Sequence, residues 1–398
     1  MTSFEAIKMT DRVYWVGAID WGIRDFHGYS TSRGTTYNAF LILGQEPILI
    51  DTVKKSFFPE MMARIRSVID PTKIRYIISN HAEMDHSGSL PETISAIHPQ
   101  KVFASKMGVA ALKDHFHFDF PITEVKHDET MTVGDTIIRF FETRMLHWPD
   151  SMFTYFVNEG VLFSQDALSM HLASSILFAD QHDHSVLHEE AAKYYANILS
   201  PYSPLVLRLL NQLPNLKLEL KMIAPDHGPI WRTPQDIDWI IQLWKNWAEG
   251  KKQRKAVIFY DTMWGSTTQL ANVIADGFLA QGVSVKVLPL SGSHRSDIAT
   301  ELLDASILCV GSPTINQQLF PTVADVLCYL KGLKFQSLIG QVFGSYGWAG
   351  EAIKLMQTEL QAMNVKLIGE PASVKYVPTE EALLGCRALA KTISDQLT

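Results

Sequence analysis

The feature that most constrains this chain is the run Asn-His-Ala-Glu-Met-Asp-His-Ser-Gly at 80–88, set directly after the apolar stretch 74–79. It places four side chains of metal-ligating type, His81, Glu83, Asp85 and His86, on the loop leaving a predicted strand. Extended alternation turns His81, Glu83 and Asp85 to one side and leaves His86 to diverge toward a second ion. The run therefore predicts two ions sharing one loop.

A metal site in a sheet sandwich is assembled from several loops, so further ligands are expected at other strand ends. His147 stands in Met-Leu-His-Trp-Pro-Asp-Ser after a predicted strand at 136–141. Asp166 follows 161–164, and His227 stands in Ala-Pro-Asp-His-Gly after apolar 222–224. Each has the same strand-then-ligand placement. The rest of the first 248 residues alternates β-rich runs such as 37–51 and 152–163 with helices such as 59–68. Twelve of the 14 histidines lie before position 200.

The order His-x-Glu-x-Asp-His, then His147, Asp166 and His227-Gly228, resembles the metallo-β-lactamase pattern. Hydrolytic members of that fold usually carry histidine where Glu83 stands. They use zinc, which polarises water without redox change, whereas a carboxylate is a harder ligand that suits iron. The text at 20–29, 35–39, 146–152 and 193–198 narrows the resemblance to the flavodiiron proteins. That resemblance implies one iron on His81, Glu83 and His147, a second on Asp85, His86 and His227, and Asp166 bridging them. Such paired ions sit ~3.5–4 Å apart, close enough to share a diatomic. It also marks His27, His171 and Tyr195 as neighbours able to give a hydrogen bond or a proton to bound oxygen species. The stretch Ala-Leu-Ser-Met-His at 167–171 departs from the Ala-Phe-Gly-Gln-His of many relatives. Leu168, Ser169 and Met170 are therefore expected to change the pocket wall, and gas selectivity is not transferred.

The charged stretch EGKKQRK at 249–255 reads as a linker. Residues 1–249 are expected to form an αββα sandwich of the metallo-β-lactamase type, and 250–398 a doubly wound parallel sheet. The second half repeats strand, loop and helix: strands at 256–260, 283–289, 305–310 and 338–343, helices at 266–281, 296–303, 321–331 and 350–363. Its first strand ends in Thr262, Met263, Trp264, Gly265, Ser266 and Thr267, opening into a helix. Backbone N–H groups and the hydroxyls of Ser266, Thr267 and Thr268 suit a phosphate at that helix start. The sequence has neither a Gly-Lys-Ser phosphate loop nor a Gly-x-Gly-x-x-Gly turn after the strand. Two further loops carry Pro313, Thr314, Ile315 and Asn316, and Ser345, Tyr346, Gly347 and Trp348. Trp264, Tyr346 and Trp348 are placed to stack on a flat ring. This half resembles flavodoxin, which implies FMN.

Composition excludes several classes. A net charge of −7 gives no basic field for nucleic acid. Cys309, Cys328 and Cys386 are too scattered for a disulfide framework or an iron–sulfur set. No apolar run approaches the ~18 residues of a membrane span, and the amino terminus has no signal-peptide core. A cytoplasmic enzyme is expected, reducing O2 to water or NO to N2O. The resemblance implies a head-to-tail homodimer or a dimer of dimers. The sequence ends at Thr398 with no Cys-rich extension, so rubredoxin or a reduced deazaflavin is expected to bring electrons. The competing readings are a zinc hydrolase carrying a flavodoxin domain, and an electron-transfer module whose metal domain is inactive.

Overall fold

The computed structural model describes residues 4–117 and 119–397. The chain forms two compact units. The first holds the chain up to His27, Thr31–Tyr194 and Pro204–Lys245; the second holds Gly28–Ser30, Tyr195–Ser203 and the chain from Asn246 onward. Sequence reading set a single cut after 249. Two short stretches of the first half instead cluster with the second unit, where Ser30 N–H donates to Ser296 Oγ at 3.2 Å and Tyr329 Oη donates to Asn197 Oδ1 at 2.8 Å.

The first unit is built on two large sheets. Seven strands run in the order Ile7–Lys8, Val13–Trp15, Phe40–Ile42, Ile48–Ile50, Tyr76–Ile78, Lys101–Ser105, Ile122–Val125. Five run Thr130–Val133, Thr136–Glu142, Met152–Phe156, Val161–Gln165, Met222–Pro225. Alternation along the strands decides which layer each side chain joins. Phe40, Ile42, Ile48, Ile50 and Ile78 pack with Ile138, Phe140, Phe156 and Phe163 between the sheets. Leu41, Leu49 and Ile77 point the other way, onto Met61, Ile65, Leu90, Ile94 and Ile97. Those last residues come from the helices Phe58–Arg66 and Leu90–Ile97. In the second of these, Leu90, Thr93, Ile94 and Ile97 are the buried positions, the i, i+3, i+4, i+7 stripe of a helix on a sheet. Each fully buried aliphatic side chain contributes ~1.5–3 kcal/mol over its exposed state. On the outer face of the five-stranded sheet, Phe153, Leu162 and Ile223 meet Leu209, Leu210 and Trp244 from helices Ser203–Gln212 and Pro234–Ala248. The layering is the expected αββα sandwich.

The large sheet of the second unit is parallel, in the order Ser284–Pro289, Gln253–Tyr260, Ala305–Pro313, Ile339–Tyr346. Lys366–Leu367 and Ala372–Lys375 both pair with the last of these. Helices Ser266–Leu279, Arg295–Leu302, Pro321–Leu333, Glu351–Ala362 and Glu380–Ser394 complete the doubly wound unit. Glycine permits the tightest strand approach, since a Cβ on Gly340 would sit 1.7 Å from the Leu308 carbonyl oxygen. The linker reading of 249–255 is shortened, because the strand already begins at Gln253. Among the described residues, no helix is long and apolar enough to cross a membrane.

Candidate metal centre

Four strand ends deliver the ligand-type side chains. His81 and Glu83 follow Tyr76–Ile78, His147 precedes Met152–Phe156, Asp166 follows Val161–Gln165, and His227 follows Met222–Pro225. The extended alternation expected over 81–86 is not what forms. Met84–Ser87 is a single helical turn, so Asp85 leaves the side of His81 and Glu83 and joins His86. A tight helical turn brings consecutive residues round by ~100°, which extended chain cannot do.

Two donor groups result. Donor atoms of His81, Glu83, His147 and Asp166 lie within 4.8 Å of one another, and those of Asp85, His86 and His227 do the same. Nε2 of His81 is 3.2 Å from Glu83 Oε2, which is itself 3.1 Å from His147 Nε2. On the other side, His227 Nε2 lies 3.2 Å from Asp85 Oδ2, and His86 Nε2 lies 3.4 Å from Asp85 Oδ1. Asp166 joins both: Oδ2 is 3.0 Å from His147 and 3.3 Å from His81, and Oδ1 is 3.3 Å from His86 and 3.5 Å from His227.

The imidazoles are held from behind. His81 Nδ1 faces Asp150 Oδ1 at 3.5 Å, and Asp150 is fixed by accepting from Ala82 N–H at 2.6 Å. His86 Nδ1 faces Asp226 Oδ2 at 3.6 Å. His227 Nδ1 donates to the Thr36 carbonyl at 2.5 Å. These contacts turn Nε2 of each ring toward the donor group, the arrangement that outer partners impose on metal-binding histidine.

At His81, Glu83, His86, His147, Asp166 and His227 burial opposes the charged form, but opposite charges win. Asp166 is held well below the usual carboxylate range by His86, His147 and His81 despite its burial. Burial would lower His86, yet Asp85 and Asp166 push it up to about 9. His171 goes the other way: burial and the nearby His227 hold it well below the ordinary imidazole value. Among the described residues, Asp85 Oδ1 and Oδ2, His86 Nε2 and Asp166 Oδ1 are buried without a hydrogen-bond partner. Such atoms cost ~1–3 kcal/mol each when left so. Four imidazoles and three carboxylates gathered in two groups, with the unpartnered atoms converging at the second, fit a pair of cations with mixed N,O coordination.

Similarity to known proteins agrees with this geometry. The family model described as ODP family beta lactamase matches residues 35–228, and the Flavodoxin model matches 258–389. The chain is 43% identical over 397 residues to the nitric oxide reductase of Moorella thermoacetica, with 99% of each covered. It is also 43% identical over 395 residues to the rubredoxin-oxygen oxidoreductase of Megalodesulfovibrio gigas, covering 99% of this chain and 98% of the relative. The solved rubredoxin oxygen:oxidoreductase of Desulfovibrio gigas superposes with a TM-score of 0.96 at 42% identity over 98% of both chains. The flavodiiron protein of Giardia intestinalis does so at 0.93 and 29% identity, covering 98% of this chain and 96% of that one. This chain belongs to the flavodiiron proteins.

Of the three neighbours expected beside the centre of this flavodiiron protein, two are brought there. His27, left-handed at φ 55° and with three-quarters of its side chain exposed, sets Nε2 3.5 Å from Glu83 Oε1. His171 is buried, with Nδ1 2.8 Å from Thr35 Oγ1 and its ring 4.6 Å from that of His227. Tyr195 is not brought there. Its hydroxyl pairs with Ser203 Oγ at 3.0 Å and its ring lies against Trp247. Tyr194 takes the place, its ring 5.1 Å from His171. Burial, the charges of Asp166, Glu83 and Asp85, and a hydrogen bond to Asp166 hold its phenol well above the ordinary value. Asp150, Asp226, Thr35 and Thr36 were also missed. Asp150 and Asp226 stand in the quoted Trp-Pro-Asp and Pro-Asp-His texts, and a carboxylate next to a ligand was the only signal available.

Residues 168–170 are buried. Leu168 lines the small apolar cavity shared with Leu146, Leu210 and Trp244, and its carbonyl accepts from Trp231 Nε1 at 3.0 Å. Met170 presses on Gly228, where an added Cβ would lie 2.7 Å from Met170 Cγ.

In the second unit the expected loops gather at the carboxyl ends of neighbouring strands. Gly265, at φ 86°, precedes the helix that begins at Ser266, and its N–H donates to Thr262 Oγ1 at 3.1 Å. A Cβ on Gly265 would meet nothing within 4 Å, so the turn is open on its outer side. Thr267 Oγ1 and Ser345 Oγ are 3.1 Å apart, linking the first and third loops. Thr314 N–H donates to the Ser345 carbonyl at 2.9 Å, linking the second. Pro313, Ser345 and Tyr346 are the closing residues of strands rather than loop residues. Ile315 and Gln318 pair across a tight turn that includes the left-handed Asn316. Gly347 follows beside Tyr376. Trp264 and Trp348 are 94% and 93% exposed, and Met263 is exposed as well. Open backbone donors, hydroxyls and unshielded rings together fit a phosphate carrying a flat aromatic.

Proposed function

We propose that this protein reduces dioxygen to water, or nitric oxide to nitrous oxide and water, at a di-iron centre supplied with electrons through FMN. The balances are O2 with four electrons and four protons to two H2O, and two NO with two electrons and two protons to N2O and H2O. The observation that carries the reading is Asp166, whose two oxygens are divided between two complete donor groups. His81, Glu83 and His147 would hold one iron, Asp85, His86 and His227 the other, with Asp166 between. Residues 262–267, 313–316 and 345–348 would hold FMN, with Ser266, Thr267 and Ser345 on the phosphate side and Trp264, Tyr346 and Trp348 available for stacking. When bound, FMN would supply electrons in one- or two-electron steps and the iron pair would offer a binding site for the diatomic.

The chain's own groups do the rest. Asp150, Asp226 and Thr36 orient the imidazoles, and the three ligand carboxylates offset the metal charge. Tyr194 keeps its proton at Oη beside Asp166, and His27 stands at the exposed side of Glu83, where it can deliver a proton from solvent. His171 remains neutral.

The test is metal analysis of the purified enzyme alongside anaerobic O2 and NO uptake with one chemically reduced donor. Iron with gas consumption supports the proposal; zinc with ester or thioester turnover overturns it.

The donor is a separate reductant. Relatives include a rubredoxin-oxygen oxidoreductase and a coenzyme F420H(2) oxidase of Methanothermobacter marburgensis, so rubredoxin and a reduced deazaflavin are the two candidates. A head-to-tail homodimer, or a pair of such dimers, would cover the exposed Trp264 and Trp348. Sedimentation of the active enzyme as monomer only would rule that out. Free Cys309, Cys328 and Cys386 suit a reducing cytoplasm.

A further inference from the structure

We propose that Glu190 and Arg33 are positioning residues of the metal centre: their ion pair clamps the segment that holds His227 and His171 from behind onto the helix that carries Tyr194. The inference rests on the di-iron reading only for its catalytic consequence.

Glu190 is 2% exposed, on the helix His184–Tyr194. Arg33 Nε donates to its Oε1 at 3.0 Å, while Arg33 Nη2 reaches the exposed Glu189 Oε2 at 3.3 Å. A buried ion pair is weak as a source of stability, because desolvation cancels most of the attraction. Its worth lies in geometry. Burial pushes the Glu190 carboxyl up to about 7 against the pull of Lys193 and Arg33, with Glu189 adding to the rise, so its charge depends on those cations.

What the pair fixes can be followed atom by atom. The Arg33 carbonyl accepts from Ala173 N–H at 3.0 Å, two residues past His171. Gly34, at φ 70°, leaves no slack: an added Cβ would lie 2.5 Å from the Asp20 carbonyl oxygen and 2.8 Å from Ala173 Cβ. Thr35 Oγ1 then meets His171 Nδ1 at 2.8 Å and His227 Nδ1 at 3.3 Å. The Thr36 carbonyl accepts a hydrogen bond from His227 Nδ1, and Thr36 Oγ1 accepts from Gly228 N–H at 2.8 Å. A shift at Arg33 is therefore passed to a metal ligand through one rigid glycine. On the helix side, Glu190 and Tyr194 are four residues apart and share a face. The helix and the segment meet again at His171, whose ring packs on Tyr194. Glu190 and Arg33 thus tie together, one helical turn away, two elements that converge on the centre.

The experiment compares wild type with Glu190→Gln, which keeps shape and removes charge, and with Arg33→Gln. Three quantities are read: metal release to a chelator, the EPR spectrum of the half-reduced enzyme, and kcat against KM for the gas. Expected are metal release about 10-fold faster, altered g-values, and kcat lowered with KM unchanged. The double variant should be no worse than either single one. The proposal is overturned if both variants release metal and give spectra like wild type, or if any loss of rate follows thermal stability alone with an unchanged spectrum. Chelator competition reads any divalent metal, so failure of the clamp is distinct from failure of the functional reading, which would appear as a wild type without iron or gas uptake.

Discussion

Oδ1 of Asp166 lies 3.3 Å from Nε2 of His86, while the other oxygen of the same carboxylate is turned to His81 and His147. One side chain thus serves both donor groups, and its two oxygens are not interchangeable. Asp166→Asn keeps the shape but removes the charge and one acceptor. The variant should lose the second metal, and gas turnover should fall by more than about 100-fold, beyond the ~10–100-fold typical of outer partners. Metal stoichiometry with O2 uptake checks this; a fully loaded, active variant would contradict it.

Asp150 is the outer partner with the firmest support, its Oδ2 accepting from Ala82 N–H at 2.6 Å while Oδ1 faces His81. Asp150→Asn can still meet Ala82 but no longer balances an imidazole made electron-poor by a metal. Metal affinity should drop ~10–100-fold, read by chelator competition, with the fold intact by circular dichroism. Unchanged affinity would show that the 3.5 Å contact does nothing.

Much of this was legible in the residues, for identifiable reasons. The β-rich run read at 37–51 holds the buried strands Phe40–Ile42 and Ile48–Ile50, and the seven ligand-type residues picked out of the sequence are the ones that gather into the two donor groups. Failures came where phase mattered. Alternation was extended through 81–86, but a four-residue helical turn is shorter than any periodic signal, and it moved Asp85 to the other donor group. The sequence reading names Tyr195, whereas its neighbour Tyr194 is the one that faces His171, and the two differ only in direction. Helical neighbours are ~100° apart, so only one can face the centre. The helix widens into a π turn at Tyr195–Leu199, which local sequence does not announce. Asp150 and Asp226 reach the histidines only through folding of distant loops, and no spacing encodes that.

Thr267 is buried at the start of the helix Ser266–Leu279, with Oγ1 3.1 Å from Ser345 Oγ. If this hydroxyl pair receives the FMN phosphate, Thr267→Val removes a hydrogen bond to a charged group, worth ~1.5–3 kcal/mol. FMN binding should weaken by roughly 10–100-fold. Fluorescence titration of the flavin-depleted protein measures it, with metal content unchanged as the control. An unaltered dissociation constant would move the phosphate elsewhere.

Lys252 offers a pH signature of the second unit. Its Nζ is partly buried beside the carbonyls of Leu302 and Leu303, at 3.4 and 3.3 Å, where helix Arg295–Leu302 ends. Burial lowers its pKa from 10.5 to about 8, with Asp304 opposing and Lys255 adding to the fall. The sign follows from proton counts. Between these values the unfolded chain holds the proton and the folded chain has lost it, so stability rises with pH across that window. It is present in full above 10.5 and lost as pH falls through about 8. The difference of 2.5 units caps the effect at ~3 kcal/mol. The helix carboxyl end favours a cation and reduces it, so roughly 1–2 kcal/mol is expected. Lys252→Met should be more stable than wild type at pH 7 and should lose this slope. Denaturant unfolding followed by flavin fluorescence, at pH 7 and pH 10, compares the two. Parallel pH dependence in wild type and variant would mean that the ammonium is already well solvated where it stands.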